Sequence, residues 1–423
     1  MRTAIILFAL TYILLLAMPN RRAIVALCSA ALFILLGILP VEKVLDNIDF
    51  NVLMMIAGTM GIVSLFIDSR MPALMADLIL RKMPNVKWAI VSLALFAGVI
   101  SAFVDNVATV LMVAPVALAV SQKLGINPVG MIIAIAVSSN LQGAATLVGD
   151  TTSILLGGHA GMDFLDFFVF HGKPGIFWGV ELGAVVSCFV LLWLFRKEKA
   201  EVSTDELTKV TDYVPTVLLI SMIVLLISAS FIPNKPDITN GIICMGLMLI
   251  GIICTAVRSG DAARAIKPLK EIDFTTLGLL LGLFLIIGGI TEAGVIDALA
   301  QLFVDISGSD LFIAYTLIVW ASVLFSAFID NIPYVATMLP VVQGMAAMLG
   351  AEPYVLYFGL LTGATLGGNC TPIGASANIT GIGILRRAGW EVKNSDFFRI
   401  GIPFTLSAVT AGYIYIWLVW GSV

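Results

Sequence analysis

Charge is scarce in this sequence. Only 12% of its 423 residues are charged, 60% are hydrophobic, and the mean hydropathy is +1.06. A soluble domain averages about 25% charged and about 45–50% apolar. The chain therefore reads as a polytopic membrane protein, and its net charge of −4 points to no partner; no nucleic acid is expected. Cysteine is also sparse. Cys28, Cys188, Cys244, Cys254 and Cys370 lie in or beside apolar runs, and none forms a CxxC pair. Neither a disulfide frame nor a zinc site is therefore indicated. There are two histidines, His159 and His171, both expected in a loop, and no HExxH. The chain is not read as an enzyme, and no cofactor is expected beyond coupling ions. A small-residue cleavage site is missing too. Pro19-Asn20-Arg21-Arg22 follows the run Ile5 to Met18, which is read as a first span rather than a signal peptide.

What the sequence does have is long apolar runs. Full crossings are expected at about 4–18, 23–39, 50–67, 129–158, 175–195, 214–232, 238–257, 273–291, 353–385 and 401–420. Two further runs, 88–122 and 311–348, carry Asp105-Asn106 and Asp330-Asn331 in their middles. Each reads as a re-entrant hairpin with Asp-Asn at its tip. The alternatives are two ordinary helices joined by a buried turn, or one long kinked helix. Segments 71–83 and 293–306 read as interfacial levers. On this layout nineteen of the 23 Lys and Arg fall on one side; Arg2, Lys43, Lys173 and Lys235 fall on the other. Such asymmetry puts the first side in the cytoplasm and both termini outside.

The tips belong to a longer repeat. Ser101-Ala102-Phe103-Val104-Asp105-Asn106 returns as Ser326-Ala327-Phe328-Ile329-Asp330-Asn331, and Gly143 to Gly149 matches Gly368 to Gly374 at the same spacing. Residues 23–195 and 238–420 are expected to be the two halves. Residues 1–22 form an added span, 196–213 a cytoplasmic linker, and 214–237 a connecting span. Five expected crossings separate the hairpins, an odd number, so the halves have opposite topology. The fold class is an all-α membrane protein of about ten spans, two re-entrant hairpins and an inverted repeat. Interrupted helices at mid-membrane in inverted halves are the architecture of secondary transporters.

A carboxylate at a bilayer centre costs roughly 2.5–3.5 kcal/mol, and this chain places one at each tip. Asp105 and Asn106 suit a helix N-cap; in the second copy Pro333 puts the cap at Asn331 or Ile332. A neutral residue would cap as well, so the choice of Asp twice favours binding of a cation or proton. The interrupted spans 129–158 and 353–385 supply Gly143, Thr146, Gly149, Asp150, Thr151 and Thr152 in one half. The other half supplies Gly368, Asn369, Thr371, Gly374, Ser376 and Asn378. Freed carbonyls with Asn and Thr oxygens suit Na⁺, and half-helix N-termini suit an anion. The structural alternative is a glycine-mediated helix contact. Asp150-Thr151-Thr152-Ser153 and Ser376-Ala377-Asn378 are expected to cap the second half-helices. Asp150 faces Ala375 in the alignment, making the first half the more acidic. No Lys or Arg falls in the four motifs, so an anion would need helix ends, hydroxyls, amides or a co-bound cation. Candidate site residues are completed by Thr109. Na⁺ is placed at Asp105, Asn106, Asp150, Asp330 and Asn331.

SAFVDNVATVLMVAP and SAFIDNIPYVATMLP resemble the paired motifs of the ion transporter superfamily, in its arsenite-permease and NhaD-type, citrate-transporter-like branch. GGNCTPIGASANI is similar to that branch's second broken helix, and GAATLVGDTTSILLGG to the GD-x-TT segment of NhaD-type sodium–proton antiporters. Asp-Asn-Val and Asp-Asn-Ile stand where the superfamily's dicarboxylate symporters carry Ser-Asn-Thr. The resemblance implies a homodimer in a prokaryotic cytoplasmic membrane working by an elevator motion. The expected function is cation-coupled secondary transport, foremost Na⁺/H⁺ antiport. The alternative is Na⁺- or H⁺-coupled transport of a small anion, citrate- or dicarboxylate-like or an oxyanion such as arsenite. An intramembrane aspartyl protease using Asp105 and Asp330 is the remote alternative, since its Gly-x-Gly-Asp element is absent.

Overall fold

Side-chain caps set where many of the helices begin. Asp49, Asn85, Asp105, Asp273, Asp310 and Asp330 each accept a backbone N–H from the first turn that follows, which satisfies donors the helix itself cannot. The structure, a computed structural model, describes residues 1–202 and 207–421; residues 203–206 of the expected linker lie outside them. The first stretch runs α1 (Arg2–Ala17), α2 (Arg22–Leu35), α3 (Phe50–Asp68), α4 (Met71–Leu80), α5 (Val86–Ser101) and α6 (Asn106–Leu124). It continues through α7 (Val129–Gln142), α8 (Thr151–Ala160), a small antiparallel ribbon of β1 (Val169–Phe170) and β2 (Lys173–Pro174), and α9 (Ile176–Leu194). His159 therefore sits in the last turn of α8 rather than in a loop, because the helix runs on until Gly161 turns left-handed.

The second stretch runs α10 (Val214–Ala229), α11 (Thr239–Ser259), the short α12 (Ala262–Ala265) and α13 (Lys267–Lys270), α14 (Phe274–Glu292) and α15 (Val295–Ser307). After these come α16 (Leu311–Ser326), α17 (Asn331–Leu349), α18 (Tyr354–Gly367), α19 (Ser376–Arg387) and α20 (Asn394–Trp420). Seven of these helices are long and apolar enough to cross a bilayer alone, and two bent pairs pass the same test together.

Helix pairing is matched between the two stretches. The α2 helix packs along α14 and α3 along α11; α5 packs on α7 and α16 on α18; α1 lies on α2 as α10 lies on α11; and α9 packs on α20. Lipid gives helices no hydrophobic reason to associate, so close backbone approach through small residues matters. A Cβ on Gly58 of α3 would strike the Cys244 backbone of α11, and one on Gly282 of α14 would come within 2.6 Å of the Ala26 backbone of α2. At the centre, α7 is buried from Met131 to Gln142 and α18 from Val355 to Gly367. Neither has a polar face, so each must be surrounded.

Candidate functional site

The two tips have nearly the same backbone. Asp105 sits at φ −43°, ψ 139° and Asp330 at φ −55°, ψ 138°. Asp105 Oδ1 accepts the N–H groups of Val107 and Ala108, both at 3.0 Å; Asp330 Oδ1 accepts that of Ile332 at 3.1 Å. The cap of α17 is thus Asp330, not Asn331 or Ile332. A proline lacks only its own N–H, and at the third helical position that donor is still unneeded, so Pro333 does not force the cap forward. Thr109 turns back into its own helix, donating to the Asp105 carbonyl at 3.0 Å.

Behind each tip the broken helix opens a cradle of carbonyls. Thr146 and Thr371 adopt extended backbone, at φ −130° with ψ 167° and 159°. Their hydroxyls donate to the Ala102 and Ala327 carbonyls, which tie each break to its tip. Around Gly149, a Cβ would meet the carbonyl oxygens of Gly143, Ser101 and Ala102 at 2.5–2.8 Å; around Gly374, those of Gly368, Ser326 and Ala327 at 2.6–2.8 Å. Only glycine fits there. Three convergent carbonyls in each half are hard oxygen donors of the kind a small cation takes.

Polar side chains then join the halves. Asn106 Nδ2 donates to Asn140 Oδ1 at 3.0 Å, and Asn140 Nδ2 donates to Asn369 Oδ1 at 3.1 Å. Asn369 Nδ2 reaches the Val137 carbonyl at 2.9 Å. Thr152 donates to Asp150 Oδ2 at 3.0 Å and lies 3.0 Å from the Thr365 hydroxyl. Asn378 Nδ2 donates to the Gly368 and Thr371 carbonyls, both at 3.1 Å, while its Oδ1 is buried with no partner among the described residues. The expected capping of the second half-helices is not what these residues do. Neither Asp150 nor Ala375, the residues at those N-caps, makes a side-chain cap bond. The Asp150 carboxylate is left for the Thr152 hydroxyl and the cavity.

That cavity, about 500 Å³, brings together Asp105, Asn106, Asp150, Thr151, Asp330, Asn331 and Ser376. Gly143, Thr146, Gly149, Thr152, Gly368, Asn369, Thr371, Gly374 and Asn378 do not line it. Beyond the motifs its wall continues over Asn140, Asp68, Lys267, Glu271 and Asp273. Lys267 pairs with Asp68 at 2.7 Å, and Arg22 pairs with Asp330 at 2.8 Å. A guanidinium therefore does reach one motif, supplied from a helix remote in sequence. Asn140 carried one signal, a Ser138-Ser139-Asn140 triplet inside an apolar span; Arg22 carried none. Among the described residues no group of three or more His, Cys, Asp or Glu is arranged to hold a metal ion. A Na⁺ would rest on carbonyls, amide oxygens and single carboxylates.

A second cavity, about 540 Å³, opens at the other end of α3, between Asp46–Asn51, Gly157–Asp163 and Lys235–Asn240. In the loops around it, burial raises the Asp49 and Asp166 carboxyls above the ordinary carboxylate value.

A family described as citrate transporter matches residues 12–363. An uncharacterized transporter of Mycobacterium tuberculosis is 31% identical over 98% of this chain and 97% of its own length. The P protein of Homo sapiens is 26% identical over 98% of this chain and 58% of its own. Among solved structures, the YdaH transporter of Alcanivorax borkumensis is similar with a TM-score of 0.62 at 15% identity, covering 89% of this chain and 87% of that one. MtrF of Neisseria gonorrhoeae, described among antimetabolite efflux pumps, gives 0.56 at 15% identity, covering 89% and 83%. At such identity the two structures speak for the fold alone.

Proposed function

The chain belongs to the citrate transporter family, and on that premise we propose that it is a cation-coupled secondary transporter whose central cavity takes up Na⁺ and H⁺ in exchange. The observation that carries this reading is the charge of the cavity wall. Six carboxylates line it (Asp68, Asp105, Asp150, Glu271, Asp273 and Asp330) against one lysine. Asp105 and Asp150, each facing the cavity with no ion-pair partner among the described residues, are the groups assigned to bind and release the cation. The carbonyl cradle at Gly149 supplies the rest of its shell, and the one at Gly374 is its counterpart behind Asp330. The matched packing of α1 on α2 and α10 on α11 supports extending the expected halves, 23–195 and 238–420, back over the added span α1 and the connecting span α10. Opposite cavities at the two ends of α3 suit alternating access, with the hairpins and broken helices moving as a body against α2, α3, α11 and α14. A homodimer with both termini outside completes the proposal.

A second reading has one observation in its favour, the family's description. A citrate-like anion would enter this acidic cavity only with its charge offset by co-bound cations. The experiment that separates the two uses proteoliposomes with imposed Na⁺ gradients, an internal pH dye, and parallel uptake of labelled citrate, succinate and arsenite. Proton movement driven by Na⁺ alone supports exchange. Na⁺-driven solute uptake, with no proton movement unless the solute is present, overturns it in favour of the anion.

A further inference from the structure

The second tip differs from the first by one side chain. Asp330 Oδ1 caps α17, and its other oxygen accepts the Arg22 guanidinium at 2.8 Å. Asp105 caps α6 with one oxygen and, among the described residues, has no ion-pair partner. Arg22 opens α2, which packs along α14. In the preceding helix, Tyr12 of α1 donates its hydroxyl to the Pro333 carbonyl at 2.7 Å and meets the Thr337 hydroxyl. Positions 330, 333 and 337 fall on one face at the start of α17. The α1–α2 pair therefore grips the second hairpin at its tip and again one to two turns along.

The ion pair is shielded, with side chains 26% and 16% exposed. Breaking a desolvated pair strands a charge, which a surface pair does not do. Arginine stays charged at any working pH and cannot hand on its proton. A mobile cation at Asp330 would sit within a few ångströms of that permanent charge, so the two occupants exclude each other. In backbone and cradle the tips are otherwise alike.

We propose that Arg22 is a resident counter-cation for Asp330: it fills at the second tip the place a mobile cation fills at the first, and that tip accepts a cation only once Arg22 has let go. The proposal rests on the cation reading above. It makes the Asp105–Asp150 side the first to load. It also makes loading of the second tip the event that parts α17 from α1 and α2.

The test measures radioactive Na⁺ binding to the purified full-length protein. Arg22→Gln is expected to lower the half-saturating Na⁺ of the second, weaker site at least about fivefold, the low end of coupling between sites. Adding Asp330→Asn to Arg22→Gln is expected to remove that gain. A second measurement needs no variant. Hydrogen exchange of the parent across rising Na⁺ is expected to slow first over Val104–Leu111 and only at higher Na⁺ over Ile329–Ala336. If both tips are protected at the same Na⁺, or if Arg22→Gln binds Na⁺ as the parent does, the Arg22 proposal is overturned while the cation reading stands. If the parent binds no Na⁺, the cation reading falls and takes this one with it.

Discussion

Asn140 of α7 holds Asn369 of the other broken helix directly, its Nδ2 lying 3.1 Å from Asn369 Oδ1. The same nitrogen reaches the Thr365 carbonyl at 2.7 Å, and Asn140 Oδ1 accepts Asn106 Nδ2. One fully buried amide thus links the first tip, the first broken helix and the second. Where water is absent such a bond has no substitute, and each stranded group keeps its desolvation cost.

Asn140→Ala is accordingly expected to destabilise the protein by about 1–3 kcal/mol, the cost of leaving buried partners unsatisfied. Thermal unfolding in detergent measures it. A midpoint equal to the parent's would show that the amide bridge does not hold the halves together.

Asp150→Asn keeps an oxygen for the Thr152 hydroxyl and removes the charge. If Asp150 carries the coupling ion, this variant loses the pH dependence of transport while it still folds. Transport rates from pH 6 to pH 9 in proteoliposomes check it, and an unchanged profile removes Asp150 from coupling.

Gly149→Ala and Gly374→Ala each push a methyl group into three carbonyl oxygens. Gly149→Ala is expected to abolish Na⁺ binding at the first tip, and Gly374→Ala only the binding at higher Na⁺ assigned to the second, because the backbone must move away from the cradle. Gly383→Ala, with open space around its Cβ, is expected to bind as the parent does. Loss at all three positions alike would point to general helix sensitivity instead.

Val107→Cys and Ile332→Cys sit at equivalent places in the two tips and line the same cavity. In a background without the native cysteines, a membrane-impermeant thiol reagent is expected to reach both from the face that carries Lys267 and Glu271. Labelling of position 332 solely from the opposite face would contradict the shared cavity.

Much of the site could be read along the chain because its residues sit in the wrong solvent. An Asp in an apolar run is costly wherever the fold places it, so Asp105 and Asp330 announce themselves, and they do cap α6 and α17. Gly149 and Gly374 announce the breaks for a similar reason, since a broken helix frees carbonyls that lipid cannot satisfy. Sequence is less decisive where a local rule has two solutions. Pro333 suited the first helical position as well as the third, and Asp150 could equally cap a helix or face a cavity. Asn140 was missed because its counterpart at the repeat spacing is Thr365, which has no amide to flag it.

The sequence by itself determined the membrane solvent, the helical content, the two acidic tips and the glycine-rich breaks. Each follows from what a backbone or a charge needs locally in the absence of water. Tertiary structure alone decided which charges meet. It brought Arg22 to Asp330, 308 positions along the chain, and gave Asp105 no counter-ion among the described residues. It also opened both tips to one cavity. Those outcomes depend on how α1 and α2 pack against α14 and α17, and packing between distant helices leaves no periodic mark on either one.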